Sequence, residues 1–259
     1  MTDQQTVLEV TEFYDRLAPD YDEMTGFEKR FVKESPFFRL IIRKHSIQSA
    51  LDAGCGTGFH ALLLSQLGVR VHAADVSRQM LARLEAHSRA MRLDVQPVAS
   101  PLTELARNVE GPFDAVFCLG NTLPHLLDAK ELQRVLENFH VLLRPQGVLY
   151  LQLLNYERIL ARRERVQGAR RSGSATYVRF YDFPEESHPL RFNILTLHDT
   201  ESGTETDLLS VRLNPLRREE IHRALQSAGF AEPCDFGSIA LDPYKADSSS
   251  DLVIEALRP

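Results

Sequence analysis

The chain has little of what marks several functional classes. Its three cysteines, Cys55, Cys118 and Cys234, are odd in number, widely separated and without a CxxC pair. That argues against a disulfide framework or a zinc site, so no metal is expected and a reducing compartment is the natural setting. No apolar stretch approaches the roughly 20 residues that cross a bilayer. The opening MTDQQTVLEV lacks the basic and then apolar layout of a signal peptide. A cytoplasmic protein with no membrane partner is therefore expected. Positive charge is not in excess either: 30 Lys and Arg face 36 Asp and Glu, for a formal net charge of -6. Such a chain projects no global basic field toward nucleic acid. Internal repeats and long low-complexity tracts are absent.

What is there is a chain of 259 residues, 43% of them hydrophobic, enough to bury one large core over 1–259. Between residues 49 and 154 short apolar segments alternate with amphipathic ones. Strands are expected at 50–53, 69–74, 94–98, 115–119 and 148–154, and helices near 59–67, 77–90 and 129–143. In the last helix Leu132, Val135, Leu136, Phe139, Leu142 and Leu143 share one face, and Pro145 and Gly147 end the run. Strands apolar on both faces that alternate with helices imply an α/β fold with a doubly wound, mostly parallel sheet.

The flanks differ. Residues 1–46 are expected to form a helical N-terminal cap, with Phe13, Tyr14, Leu17 and Tyr21 on an aromatic-rich stretch interrupted by Pro19. Over 176–213 three strand-like segments, TYVRFYDF, LRFNILTLHD and TDLLSVRL, are separated by turns such as EESHP and TESGT. They predict an antiparallel insertion over one edge of the main sheet. A helix follows from Asn214 or Pro215 to Gly229, and two closing strands are expected near 235–241 and 252–257.

LDAGCGTGFH, Leu51 to His60, places Gly54, Gly56 and Gly58 directly after the first strand and at the opening of a helix. In an open parallel sheet this position borders the ligand crevice. A dinucleotide fingerprint wants glycine at the first, third and sixth positions, and here the sixth is Phe59. A benzyl group there works against a pyrophosphate resting on the helix start. Asp75 ends the next strand, about 20 residues after the first glycine, where a carboxylate accepts both hydroxyls of an adenosine ribose. Its structural alternative is the N-cap of the helix over 77–90, a role open to Ser77 as well.

LDAGCGTG with Asp75 on the following strand resembles motif I and its sequel in class I S-adenosylmethionine-dependent methyltransferases. The resemblance covers 49–154, and LLRPQGVLYLQ and REEIHRALQSAGF match later segments of that fold. It implies a Rossmann-like seven-stranded sheet whose last strand inserts antiparallel, and S-adenosylmethionine as cofactor. The ligand of the glycine turn is then the methionine portion and ribose of that molecule, with no phosphate. The helix N-terminus and free amides face its carboxylate, and Asp52 balances its α-amino group. Further cofactor contacts are implied at Val76, Met80 and Leu119.

More narrowly, FCLGNTLPHL and LNYERIL resemble glycine N-methyltransferase and related bacterial small-molecule methyltransferases. In that family the segment matching Leu119–Asn121 lies beside cofactor and acceptor, and a pair matching Asn155–Tyr156 lies near the acceptor. Asn121, Asn155 and Tyr181 are accordingly expected to bind the acceptor, and Tyr156 to act in catalysis. Two departures stand out. The glycine enzymes carry an arginine just before the Asn-Tyr pair, where this chain has Leu154. An acidic residue after the third strand is replaced by Ser100, which leaves adenine to main-chain groups and Ser100 or its neighbours.

The reaction implied is methyl transfer to a small-molecule acceptor, most simply at nitrogen. A neutral amine needs only alignment, whereas a hydroxyl benefits from a base within hydrogen-bond reach. His125 is the candidate base, and O-methylation is the alternative reading. The other role open to His125 is to pack and shape its loop. Tyr21, ahead of Tyr14, is expected to close over the cofactor, the alternative being aromatic packing on the sheet. Arg39 and Arg43 either reach the cofactor carboxylate or form a solvated face. Six arginines in RILARRERVQGARR suit an RNA track, but no aromatic residue interleaves with them, so a solvent-facing helix and loop is expected. The insertion, which follows Asn155–Tyr156, is expected to cover the acceptor pocket and to offer it Arg179, Tyr181, Arg191 and Asn193. An NAD(P)-binding oxidoreductase and a cofactor sensor without catalysis are the readings from other classes. The choice between monomer and homo-oligomer stays open.

Overall fold

The computed structural model describes residues 6–183 and 189–259. The expected turn at EESHP therefore lies outside the described residues except for Pro189, as do the first five residues of the chain. Three helices come first, α1 (Val10–Leu17), α2 (Tyr21–Thr25) and α3 (Phe27–His45). The alternating region then runs β1 (Ser49–Ala53), α4 (Phe59–Gln66), β2 (Arg70–Asp75), α5 (Arg78–Met91), β3 (Val95–Ala99), a short α6 (Leu105–Asn108), β4 (Phe113–Cys118), α7 (Ala129–Leu142) and β5 (Leu143–Leu154). After α8 (Tyr156–Arg162) come four long strands, β6 (Val166–Ser172), β7 (Ala175–Asp182), β8 (Leu190–Thr200) and β9 (Gly203–Leu213). The chain closes with α9 (Arg218–Ser227), β10 (Cys234–Phe236) and β11 (Asp251–Leu257). No helix among the described residues is long and apolar enough to cross a membrane.

Seven strands form one sheet in the order β3-β2-β1-β4-β5-β11-β10. The first five are mutually parallel, and β11 inserts antiparallel between β5 and β10. The alternation of side chains explains the near-continuous apolar runs. Val116, Leu149 and Leu151 point into one core, with α7 and α9, while Ala115, Phe117, Val148 and Tyr150 point into the other, with α3 and α4. Both faces are covered, so Ala50–Ala53, Ala115–Cys118 and Val148–Leu151 are buried without a break. β1 has β2 on one side and β4 on the other, which is where the winding reverses and a crevice opens at the carboxyl ends.

Three expectations need correction. The arginine-rich run is not a helix and loop throughout: α8 stops at Arg162, Arg163 takes a left-handed conformation, and β6 begins at Val166. The antiparallel sheet thus has four strands in the order β6-β7-β8-β9. It packs chiefly against α1, α2 and the short turn Leu123–His125, above the carboxyl ends of the main sheet. The closing strand expected over 235–241 ends at Phe236, because Gly237 and Asp242 close a turn (N to O, 2.7 Å) in which Leu241 has positive φ.

Candidate active site

The turn after β1 carries Gly54, Gly56 and Gly58 at φ of 77°, 56° and 89°, all in the left-handed region that side chains other than hydrogen disfavour. Two of the three are also demanded by packing. A Cβ at Gly58 falls 1.9 Å from Leu84 Cδ1 on α5, and one at Gly54 falls 2.3 Å from Thr122 Cγ2. Gly58 thus does the helix-packing work that a dinucleotide turn gives to its sixth position. Gly56 is different: a Cβ there would only touch the Tyr21 ring, at 3.6 Å, and its amide donates to Asp75 Oδ2 at 2.8 Å.

Asp75 accepts a second bond, from the Ser77 amide to Oδ1 at 2.9 Å. It is not the helix cap. Ser77 fills that role, its Oγ accepting from the Met80 amide at 3.1 Å and donating to Asp15 Oδ1 at 2.5 Å. Burial raises the Asp75 carboxyl above its ordinary pKa, against the lowering effect of these amides. Asp52 lies deeper. It is 1% exposed, its Oδ2 meets no partner among the described residues, and burial pushes its pKa up to about 7. A buried carboxylate oxygen without a donor is what a cationic ligand group nearby relieves.

A cavity of about 520 Å³ opens against this turn. Gly54, Gly56, Asp75, Val76, Ser100 and Leu119 are on its wall, and Tyr21 faces them from α2. Asp52 and Met80 are not on the wall. Met80 is fully buried because it lies on the inward face of α5 with Leu81 and Leu84, which corrects its expected position. Arg39 and Arg43 are exposed and, among the described residues, bond only Ser35 and the Arg39 carbonyl, so they form a solvated face. The arginine on the wall is Arg30, which the sequence reading missed. It stands 4.0 Å over the Phe59 ring and pairs with Glu34 at 2.6 Å. Its i, i+4 spacing from Glu34 on α3 marks an ion pair on a helix, and nothing in that spacing points to a cavity wall.

A second cavity, of about 480 Å³, lies between α1–α2 and the inner face of the four-stranded sheet. Asn121, Leu154 and Tyr181 are on its wall. Tyr14, Tyr21, Arg30, Gly120 and His125 belong to the walls of both cavities, so they form the partition. The Tyr14 hydroxyl lies 2.7 Å from His125 Nε2. His125 Nδ1 is buried without a partner among the described residues. Burial lowers the ring's pKa to about 4 and raises that of Tyr14 well above 10. Tyr14 and Tyr21 thus face the cavities while also packing on the cluster that contains the buried Phe13 and Leu17.

Two expected residues sit elsewhere. Tyr156 is buried behind the second cavity. Its hydroxyl accepts from Asn121 Nδ2 at 2.9 Å and lies 3.3 Å from the Tyr181 hydroxyl, and burial pushes its pKa up to about 12. It holds Asn121 and Tyr181 in place and lies on neither wall. Asn155 caps α8, accepting from the Arg158 amide at 3.3 Å and the Tyr244 hydroxyl at 3.0 Å. Its Nδ2 donates to the carbonyls of Ala246 and Ser249, both at 3.0 Å. Its bonding capacity is used by its own helix and the C-terminal loop, away from both cavities. An asparagine directly before a helical run is an N-cap signal, and it was readable.

Comparison with known proteins follows the same lines. Residues 50–147 match a family described as "Methyltransferase domain". A glycine/sarcosine N-methyltransferase of Halorhodospira halochloris is 34% identical over 149 residues, 58% of this chain and 56% of that enzyme's length. The enzyme of the same name from Aphanothece halophytica is 28% identical over 240 residues, 87% of this chain and 82% of its own. Among solved structures, the CcbJ methyltransferase of Streptomyces caelestis superposes with a TM-score of 0.79 at 25% identity, over 96% of this chain and 98% of that one. With the strand order, the glycine turn and the acidic residue that follows it, these likenesses support a class I S-adenosylmethionine-dependent methyltransferase.

Proposed function

We propose that the protein methylates the nitrogen of a small-molecule amine, with the cofactor in the 520 Å³ cavity and the acceptor in the 480 Å³ one. S-adenosylmethionine, when bound, supplies a methyl group on a sulfonium that is already a strong leaving group. The residues present fit it. Gly54 and Gly56 leave main chain bare beside the cavity, Asp75 offers a carboxylate to the ribose hydroxyls, and Asp52, behind that wall, has an oxygen without a donor among the described residues to balance the α-amino group directly or through water. Arg30 supplies positive charge for the cofactor carboxylate, and Val76, Ser100 and Leu119 border the place for adenine.

The observation that carries nitrogen over oxygen is the state of the partition. A hydroxyl acceptor needs a base there, and His125 is a poor one. Its pKa is about 4, its Nε2 is engaged by Tyr14, and its Nδ1 is buried. In either tautomer no free ring nitrogen faces the acceptor side. An amine that arrives neutral needs only to be oriented and desolvated between aromatic rings, which Tyr14, Tyr21 and Tyr181 provide.

Labelled-methyl transfer against panels of amines and phenols tests the reading. Transfer to an amine, retained within about tenfold in His125→Gln, supports it. Transfer confined to phenols or alcohols and abolished in His125→Gln overturns it in favour of O-methylation.

A further inference from the structure

The second cavity has three arginines on its wall and, among the described residues, no carboxylate. Arg30 is balanced by Glu34. Nearby arginines outside the cavity are paired as well: Arg158 with Glu164, Arg165 with Asp182 and Arg171 with Asp199. Arg170 and Arg179 have no such partner among the described residues, and Arg170 Nε is buried without an acceptor.

Their placement follows from the register of β6 and β7. Arg170 lies opposite Tyr177 and Gly168 lies opposite Arg179. Arg170 and Arg179 are therefore diagonal cross-strand neighbours on the face that also carries the buried Tyr177 and Tyr181, about 7–8 Å apart at the backbone. The absence of a side chain at Gly168 leaves room for the Arg179 guanidinium, which lies 3.3 Å from where a Cβ would stand. Two like charges held together on a partly buried wall repel, and desolvation adds to the cost unless an anion lies between them. The opposite wall is apolar, with Phe13, Leu17 and Met24. A chamber of about 480 Å³ is of the size that takes ligands well beyond a two-carbon amino acid. Leu154 is on the wall of this same chamber, so beyond Arg30 the positive charge comes from the β6–β7 wall.

We propose that the acceptor is an amine with an anionic end group on an apolar body, the anion held by Arg170 and Arg179 and the amine turned toward the Tyr14–His125 partition. This rests on the reading that the chamber receives the amine. The shared chemistry is an oxyanion matched to two guanidinium forks, which a carboxylate or a phosphate-type group can supply.

The test is calorimetric titration of the full chain, saturated with S-adenosylhomocysteine, with 3-phenylpropanoate, 3-phenylpropylphosphonate and the neutral 3-phenylpropan-1-ol. At least one anion is expected to bind tenfold or more tighter than the alcohol, and which anion binds tighter identifies the end group. Arg170→Gln and Arg179→Gln are each expected to weaken that anion about tenfold or more, with binding of the alcohol and S-adenosylhomocysteine unchanged. Arg179→Lys should recover part of the loss. Equal binding of all three probes, undetectable binding of both anions, or anion binding unchanged in both glutamine variants overturns the proposal. Labelled-methyl transfer on the same preparations reads the amine assignment separately: efficient transfer to neutral amines alone leaves that assignment standing and overturns this one.

Discussion

The Tyr14 hydroxyl and His125 Nε2, 111 positions apart in sequence, meet at 2.7 Å in the wall between two cavities. An N-terminal helix and a turn after the fourth strand are joined there by one hydrogen bond. The pair belongs to the wall that the two cavities share with Tyr21, Arg30 and Gly120. Its chemistry is that of a neutral imidazole and a neutral phenol, since burial disfavours charge on both.

The first consequence concerns catalysis against pH. With S-adenosylmethionine saturating, so that Asp52 is held ionised, no enzyme group near pH 6.5 should control methyl transfer, because His125 titrates at about 4. The kcat/KM profile between pH 6 and 10 is expected to rise with deprotonation of the acceptor amine and to move when acceptors of different pKa are exchanged. Profiles measured with two such amines decide this. An acceptor-independent limb near 6.5 contradicts it.

The same residue affects stability. The unfolded chain protonates His125 at about 6.5, while the folded chain resists until about 4. The unfolded state binds the extra proton in this window, so the native state loses stability as pH falls from 6.5 to 4. The loss is of the order of 2–3 kcal/mol from this group. Urea unfolding of wild type and His125→Gln between pH 4 and 7 should show a shallower acid decline in the variant.

Asp52 works in the opposite direction. Its folded pKa of about 7 lies above its ordinary 3.8, so the native state binds the extra proton. The stability contribution is full below about pH 4 and is lost as pH rises toward 7. Asp52→Asn is therefore expected to stabilise the ligand-free protein at pH 8 and to weaken S-adenosylhomocysteine by tenfold or more. Titration in buffers of different ionisation enthalpy should detect up to about half a proton released on binding at pH 7, absent in the variant.

Gly58 is fixed by Leu84. Gly58→Ala combines positive φ with a methyl group 1.9 Å from Leu84 Cδ1, and a loss of about 2–4 kcal/mol is expected. Introduced into Leu84→Ala, the same change should be less damaging than in wild type, as a double-mutant cycle by denaturant unfolding measures.

Asn155→Ala should behave as a structural lesion. It unties an N-cap and two carbonyls of the 244–249 loop, at about 1–3 kcal/mol. Affinity for S-adenosylhomocysteine at 25 °C is expected to stay within about twofold. A tenfold loss of affinity with unchanged stability would return Asn155 to the binding site.

The readable parts of the site share one property: their constraint is local. Gly54, Gly56 and Gly58 adopt backbone angles that demand glycine wherever the rest of the chain lies. Asp75 ends a strand whose position follows from the apolar rhythm before it. Arg170 was misread because an arginine-rich run looks solvated, and only pairing with β7 turns one of its arginines inward. Asn155 was drawn to the acceptor by resemblance to other enzymes, while its neighbours in space, Tyr244 and Ser249, are some 90 residues away in sequence. β10 was overextended because apolar character alone does not show where Gly237 turns the chain.

Side-chain period and backbone sterics act over a few residues, so the alternation of strands and helices, the parallel sheet and the glycine turn were legible before any packing was known. Which polar groups face the two cavities, the presence of Arg30 rather than Arg39 or Arg43 on the wall beside the glycine turn, and the meeting of Tyr14 with His125 follow only from the folded arrangement. Burial, charge and hydrogen-bond partners are set by segments that lie far apart along the chain, and they become properties of a residue only once those segments have packed.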